Sequence, residues 1–175
     1  MNLAKSFNSL NNIAFVVLII SAIFLALFDF KYYGDIFRFL AVPIFIILFI
    51  NQDYKKFKIL MIAFVIACGI AYLFKYGIAY IVAHFNMQDI FEFAKRPING
   101  KFNGFPSGHA TSAFIAVAFA YNFYKLKWKI LFLMLGLLVG ISRIENLYHT
   151  PLQVFAGSIL GFFVSLFIFR KFIKS

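Results

Sequence analysis

Phe105-Pro106-Ser107-Gly108-His109 runs without a break into an apolar segment, residues 110–123. Ser142-Arg143 closes the next apolar segment, and His149 stands six residues beyond Arg143, just before a third, residues 152–169. Two histidines and several cations are thus placed at the ends of membrane-length segments. That placement decides the fold class: an all-α, polytopic bundle carrying polar chemistry at one end.

Composition supports this. Of 175 residues, 63% are hydrophobic and 27 are phenylalanine, and the mean hydropathy is +0.90. A soluble domain of this length could not hide so much apolar surface. Residues 1–175 are expected to form one integral membrane domain, with no spare length for a soluble partner domain. The formal net charge of +11 does not point to nucleic acid, because the cations cluster in short loops between apolar runs, where they suit anionic lipid. Cys68 is the only cysteine, so no intrachain disulfide forms. It reads as a small buried apolar residue.

A span needs about 20 mostly apolar residues. Six are expected, over residues 12–28, 36–50, 59–82, 110–123, 128–141 and 152–169. The runs are continuous rather than alternating, which excludes a barrel. The first resembles a signal peptide in having Lys5 before it, but no small-x-small cleavage site follows, so it is expected to be retained. Lys5, Lys55, Lys56, Lys58, Lys125, Lys127, Lys129, Arg170, Lys171 and Lys174 all fall on one side of a six-span chain. The positive-inside rule makes that side cytoplasmic. Residues 29–35, 84–108 and 143–151 then share the outer face, periplasmic in a Gram-negative bacterium. Residues 78–93 mix aromatics with His84, Asp89 and Glu92, a pattern that suits either an interfacial helix or a plain extramembrane loop.

The outer residues suit phosphoryl transfer, which needs cations for the phosphate oxygens, a nucleophile and an acid for the leaving group. Arg96 beside Lys95, and Arg143 beside Ser142, offer planar donor forks. Ser107 and Gly108 stand at the expected start of the fourth helix, whose free N–H groups favour an anion, and Gly108 allows close backbone approach. His109 and His149 supply the nucleophile and proton roles.

Pro106-Ser107-Gly108-His109 and Ser142-Arg143-x5-His149 resemble the second and third signatures of the type 2 phosphatidic acid phosphatase (PAP2) superfamily, and Arg96-Pro97 is similar to the end of the first. The resemblance covers residues 75–161 and the six-helix plan. It implies that His149 is the nucleophile, that His109 protonates the leaving group and later activates water, and that Arg96, Arg143, Ser107 and Gly108 bind phosphate. It implies no metal and no cofactor, in keeping with the lack of a ligand cluster in the sequence.

Two positions depart from the family pattern. The lysine expected seven residues before Arg96 is Asp89; Lys75 is the preferred substitute and Lys95 the alternative. The aspartate expected four residues after the nucleophile is Gln153. Its carbonyl can fix the imidazole but adds no charge, and Glu145, four residues before His149, is a candidate to supply that charge if the segment is helical.

The expected substrate is a phosphorylated membrane lipid. Residues 96–105 look similar to the corresponding segment of bacterial lipid A phosphatases, and a lipid A phosphatase, of the 1-position type more than the 4′ type, is the favoured reading. Undecaprenyl pyrophosphate, phosphatidylglycerophosphate and phosphatidate are alternatives. A lipid phosphotransferase, or a degenerate protein that binds lipid phosphate without turnover, is the reading of another class. A channel ranks last, because ionisable residues within the spans are few, namely Arg38 and Lys75.

Overall fold

A computed structural model describes the backbone of residues 3–173 and the side chains of residues 15–172. Lys174 and the side chain of Lys5 lie outside the described residues. Acidic and polar caps punctuate the apolar runs. Asp29 ends α1 (Leu3–Phe28) and caps α2 (Phe30–Phe37), its carboxylate accepting from the amides of Lys31 at 2.8 Å and Tyr32 at 3.4 Å. A turn at residues 38–40 leads into α3 (Ala41–Ile50). Asp53 caps α4 (Tyr54–Phe85), accepting from the Lys56 amide at 3.2 Å and pairing with the Lys56 ammonium. α4 stops where Asn86 turns left-handed at φ +52°, a conformation asparagine tolerates at a helix end. Residues 86–107 then cross the end of the bundle, with a 3₁₀ turn at Glu92–Ala94. α5 (Gly108–Phe123), α6 (Leu126–Glu145) and α7 (Pro151–Ile173) complete the chain.

The six apolar segments therefore all lie on helices, in an all-α membrane bundle. Phe30–Ile50, Tyr54–Phe85 and Pro151–Phe172 are each long and apolar enough to cross a bilayer, with mean hydropathies of 2.0, 2.4 and 2.1. The second expected span begins earlier, at Phe30, and is broken into α2 and α3. α4, with 32 residues, is about 48 Å long and overshoots a hydrocarbon core of about 30 Å. The segment 78–93 is not one interfacial helix. Its first part extends α4, and Asn86 ends the helix before the apolar residues Ile90, Phe91 and Phe93.

α5 is the axis of the bundle. Every residue from 110 to 120 is buried, and five of them are alanine, so neighbouring helices approach closely. α7 packs on α5 more extensively than any other pair. Gly157 and Gly161, one turn apart on α7, face the backbone of Ser107 and Thr111, and a methyl group at either would collide with the Ser107 or Thr111 carbonyl oxygen. These glycines set how close α7 comes to the start of α5, where the site lies.

The basic loops meet at the opposite end. Lys56 lies 5.6 Å above the Phe123 ring, Phe123 packs on Phe169 at 5.7 Å, and Phe15 meets Trp128 edge to face at 5.1 Å. The ends of α4, α5, α6 and α7 that adjoin the basic loops are thereby gathered on one face of the bundle, with Phe15 of α1 packed beside them. The Phe105–Pro106 turn, the α6–α7 loop and α2 gather on the other.

Candidate active site

Each site side chain stands at a helix end, and the backbone explains why. Tyr148 and His149 both donate their amide N–H to the Arg143 carbonyl, at 3.0 and 3.2 Å, after Leu147 turns left-handed. The α6 terminus folds back on itself, so arginine and histidine six residues apart share one wall. Thr150 then starts α7, its hydroxyl accepting from the Gln153 amide at 3.3 Å.

Gln153 is fully buried and uses every polar atom it has. Its Nε2 donates to the Phe93 carbonyl at 2.9 Å and the Lys95 carbonyl at 2.8 Å. Its Oε1 accepts from the Thr150 amide at 3.2 Å and lies 3.0 Å from His149 Nδ1. With both amide hydrogens committed to carbonyls, the oxygen must face His149, and Nδ1 must carry the proton. The lone pair is left on Nε2. Burial chiefly, and then the charges of Lys75, Arg96 and His109, push the His149 pKa down to about 3 against an opposing contribution from the Gln153 hydrogen bond. The ring is neutral at pH 7.

Around it the donors are uncommitted. Ser107 is the backbone N-cap of α5, yet its hydroxyl caps nothing; its Oγ is buried without a partner, as is Nε of Arg96. Its amide instead donates to the Gln153 carbonyl at 2.9 Å. Leaving such groups unpaired costs about 1–3 kcal/mol each, so a site with several of them is preorganised for an anion that supplies the missing partners. Lys75 projects to the same place: a Cβ on Gly108 would lie 3.7 Å from its Nζ. Lys95 does not. Its ammonium pairs with Glu92 at 3.1 Å on the surface, and only its carbonyl reaches the site, through Gln153. Asp89 is exposed on the crossing loop.

The other side is more heavily bonded, although Arg38 Nε there is also buried without a partner. Arg143 is 1% exposed. Its guanidinium donates to Ser142 Oγ at 3.1 Å, to Asp35 Oδ1 at 2.8 Å and to the Lys31 carbonyl, and it lies 5.1 Å from the Tyr148 ring centre. Gly34 makes room for this: a Cβ there would overlap Ser142 Oγ and the Arg143 guanidinium. His109 Nε2 lies 3.1 Å from Asp35 Oδ1 and 3.1 Å from Arg38 Nη1. Burial first, then Arg143 and Arg38, lower the His109 pKa to about 4, while Asp35 opposes them. A phosphate dianion entering beside these rings would raise both pKa values toward neutrality.

His109, His149, Lys75, Arg96, Ser107, Gly108, Ser142, Arg143 and Gln153 thus converge at one end of the bundle. Glu145 does not join them. It is the last residue of α6, exposed, with no recorded hydrogen bond or ion pair among the described residues; the helix stops there and the chain turns before His149, so the helical spacing that would pair the two is lost. Asp35, Arg38 and Gly34 were not foreseen as site residues, since they lie 71 or more positions before His109 and Arg143, the residues they meet. The sequence signal for Asp35 and Arg38 is charge at the end of an apolar run, and Gly34 carries none. Among the described residues no group of three or more His, Cys, Asp or Glu is gathered.

Residues 79–175 match the model of the PAP2 superfamily. The chain is 35% identical over 138 residues to a lipid A 4′-phosphatase of Helicobacter pylori, covering 78% of this chain and 68% of that protein. It is 43% identical over 67 residues to the bacitracin transport permease protein BcrC of Bacillus licheniformis, covering 38% of this chain and 32% of that one. A probable lipid phosphate phosphatase 4 of Arabidopsis thaliana is 30% identical over 92 residues, covering 45% and 30%. No solved structure matches the chain.

Proposed function

The chain belongs to the PAP2 superfamily as a membrane-embedded phosphatase, and we propose that it removes a phosphate from lipid A through a phosphohistidine on His149. The observation that carries this reading is the convergence of a lone-pair nitrogen on His149 with the uncommitted donors of Lys75, Arg96 and Ser107. His149 Nε2 attacks phosphorus, the P–O bond to the lipid breaks, and His109 as imidazolium gives its proton to the departing oxygen. Lys75, Arg96, Arg143, Ser107 and the N–H groups at the start of α5 take up the charge on the phosphoryl oxygens. Water then loses a proton to His109 as its oxygen attacks phosphorus, and the P–N bond breaks, releasing phosphate and restoring His149.

A lipid substrate is favoured by the surroundings. A groove of about 420 Å³ runs beside the site, lined by Leu73, Phe74, Gly77, Ile78 and Ile81 of α4 with Phe91, Phe93 and Phe105. Phe93 gives its carbonyl to Gln153 and Phe105 precedes the Pro106-Ser107-Gly108-His109 turn. A hydrocarbon chain lying there would place its phosphate among the free donors. The name of the Helicobacter pylori relative favours the 4′ phosphate over the 1 position favoured from the sequence. In this reading the basic loops face the cytoplasm, and the site faces the periplasm of a bacterial inner membrane.

The test is phosphate release by purified protein from lipid A carrying a single phosphate at either position, with phosphatidate, phosphatidylglycerophosphate and undecaprenyl pyrophosphate alongside. Mass spectrometry should show loss of the 4′ phosphate, abolished by His149→Ala. Equal turnover of every lipid would leave a phosphatase without the proposed specificity, and lipid binding without release would remove the enzymatic reading.

A further inference from the structure

Asp35 and Arg38 stand three residues apart at the end of α2 and reach the same atom. Nε2 of His109 is 3.1 Å from Asp35 Oδ1 and 3.1 Å from Arg38 Nη1. One ring nitrogen cannot satisfy both. Protonated, it donates to the carboxylate; bare, it accepts from the guanidinium. We propose that Asp35 and Arg38 are positioning residues that set the proton of His109 in opposite directions, Asp35 holding the form needed for turnover and Arg38 opposing it. The proposal rests on the phosphatase reading for its catalytic consequence, though not for the proton balance itself.

The surrounding contacts hold the pair in place. Ser112 Oγ on α5 donates to the Arg38 carbonyl at 2.7 Å, tying the end of α2 to the helix that bears His109. Asp35 Oδ1 also accepts from Arg143 Nη1 at 2.8 Å, so α6 fixes the carboxylate from the other side. The charged and titratable groups facing His109 are Asp35 from α2, Arg38 from the turn that follows it, Arg143 from α6, His149 from the α6–α7 loop, and Lys75 of α4 beside Gly108. Asp35 is the one carboxylate among them. It is therefore the group that stabilises an imidazolium in a cationic site.

Proton accounting gives the two residues their roles. His109 Nδ1 has no hydrogen-bond partner among the described residues. In the imidazolium, Nε2–H donates to Asp35 and Nδ1–H is left for the leaving oxygen. When the P–O bond to the lipid breaks, the Nδ1 proton passes to that oxygen, and neutral His109 keeps its Nε2 proton on Asp35. Nδ1 is then bare and accepts a proton from the water that attacks phosphorus as the P–N bond breaks. The other neutral form, with Nε2 bare and bonded to Arg38, has its proton on Nδ1 and cannot accept one there. A carboxylate holding the tautomer of a catalytic histidine is well precedented in principle. Here it serves the acid, and both residues lie outside the segment 79–175 that matches the family.

The test uses the full chain in detergent with ¹⁵N-labelled histidine, following the His109 ring by NMR against pH, and assigns it by His109→Gln. In Asp35→Asn the His109 titration should move to lower pH, and in Arg38→Gln to higher pH, each by on the order of one unit. In activity, Asp35→Asn should lower kcat about 10²-fold with KM little changed, and its alkaline limb should shift toward acid. Arg38→Gln should shift that limb the other way. Asp35→Glu, which keeps the charge, should recover part of the loss and serves if Asp35→Asn does not fold. Shifts in the same direction, or none, in folded variants would overturn the proposal and leave the two residues as braces for α2. Opposite NMR shifts without phosphate release from any lipid, by wild type or variant, would sustain the proton balance and sink the phosphatase reading instead.

Discussion

The two histidines sit in one pocket but are held by opposite chemistry. His149 rests on a neutral amide, that of Gln153, and looks out on donors with no partners, Ser107 Oγ and Arg96 Nε. His109 sits in a bonded cluster with Asp35, Arg38 and Arg143, in which one carboxylate oxygen serves two of the cationic or titratable groups. The difference follows the work proposed for each ring. A nucleophile needs a lone pair and a fixed tautomer, which a neutral acceptor provides without drawing a second proton onto the ring. An acid needs a stabilised proton, and a carboxylate provides it.

The comparison can be broken at several points. The largest effect is expected from His149→Ala, which removes the attacking nitrogen; phosphate release should fall at least about 10⁴-fold, with lipid binding retained in a flotation assay. Gly34→Ala comes next. The added methyl group overlaps Ser142 Oγ and the Arg143 guanidinium, and overpacking of this kind costs about 1–3 kcal/mol. Thermal stability should drop, and kcat/KM should fall by one to two orders of magnitude at about that energy.

Gln153→Asp tests whether the neutral partner is a defect or an adaptation. Aspartate is the residue the family pattern leads one to expect there, yet it cannot donate to the Phe93 and Lys95 carbonyls as Gln153 Nε2 does. Losing those two bonds should cost about 1–3 kcal/mol and loosen residues 93–95. A negative charge beside His149 raises its pKa above the present value of about 3. The neutral, attacking form then appears only at higher pH, so the acid limb of kcat should move upward. A pH–rate profile, with hydrogen exchange on residues 93–105, reads both consequences. Activity at or above wild type would mean that the amide is not adapted to its site.

Gly77→Phe should act more narrowly. A Cβ at Gly77 meets nothing within 4 Å, so the ring can enter the apolar groove without displacing its neighbours. KM for a long-chain lipid phosphate should rise about tenfold, an effect of about 1.4 kcal/mol, while a short-chain analogue is hydrolysed as before. Glu145→Gln should do least. The residue is exposed and unbonded, and surface substitutions of this kind lie within about 0.5 kcal/mol, so turnover should stay within about twofold. A large loss in that variant would restore Glu145 as the charge behind His149.

Much of the site was legible because its residues are local in the chain. Ser107, Gly108 and His109 are consecutive, and Arg143 and His149 flank one tight turn at the end of α6, so nearness along the chain keeps each group together. Lys75 was preferred to Lys95 from its place in the third span; the 21 residues between it and Tyr54 at the start of α4, about 32 Å of helix, bring its ammonium beside Gly108. Glu145 misled because an i, i+4 spacing was assumed to lie within a helix that in fact ends at that residue. The break inside residues 30–50 could not be read either. That run is apolar throughout, and the turn at 38–40 is stabilised by long-range contacts such as Ser112 Oγ to the Arg38 carbonyl.

Apolar length, cationic loops and three short motifs were enough to specify a membrane bundle with phosphate chemistry at one end, because hydropathy and helical spacing act within a few turns of chain. Tertiary structure alone decided which histidine keeps company with a carboxylate. Asp35 meets His109 across 74 positions and Arg143 across 108, and only the packing of α2 against α5 and α6, over a glycine with no room for a methyl group, brings those charges within hydrogen-bond reach.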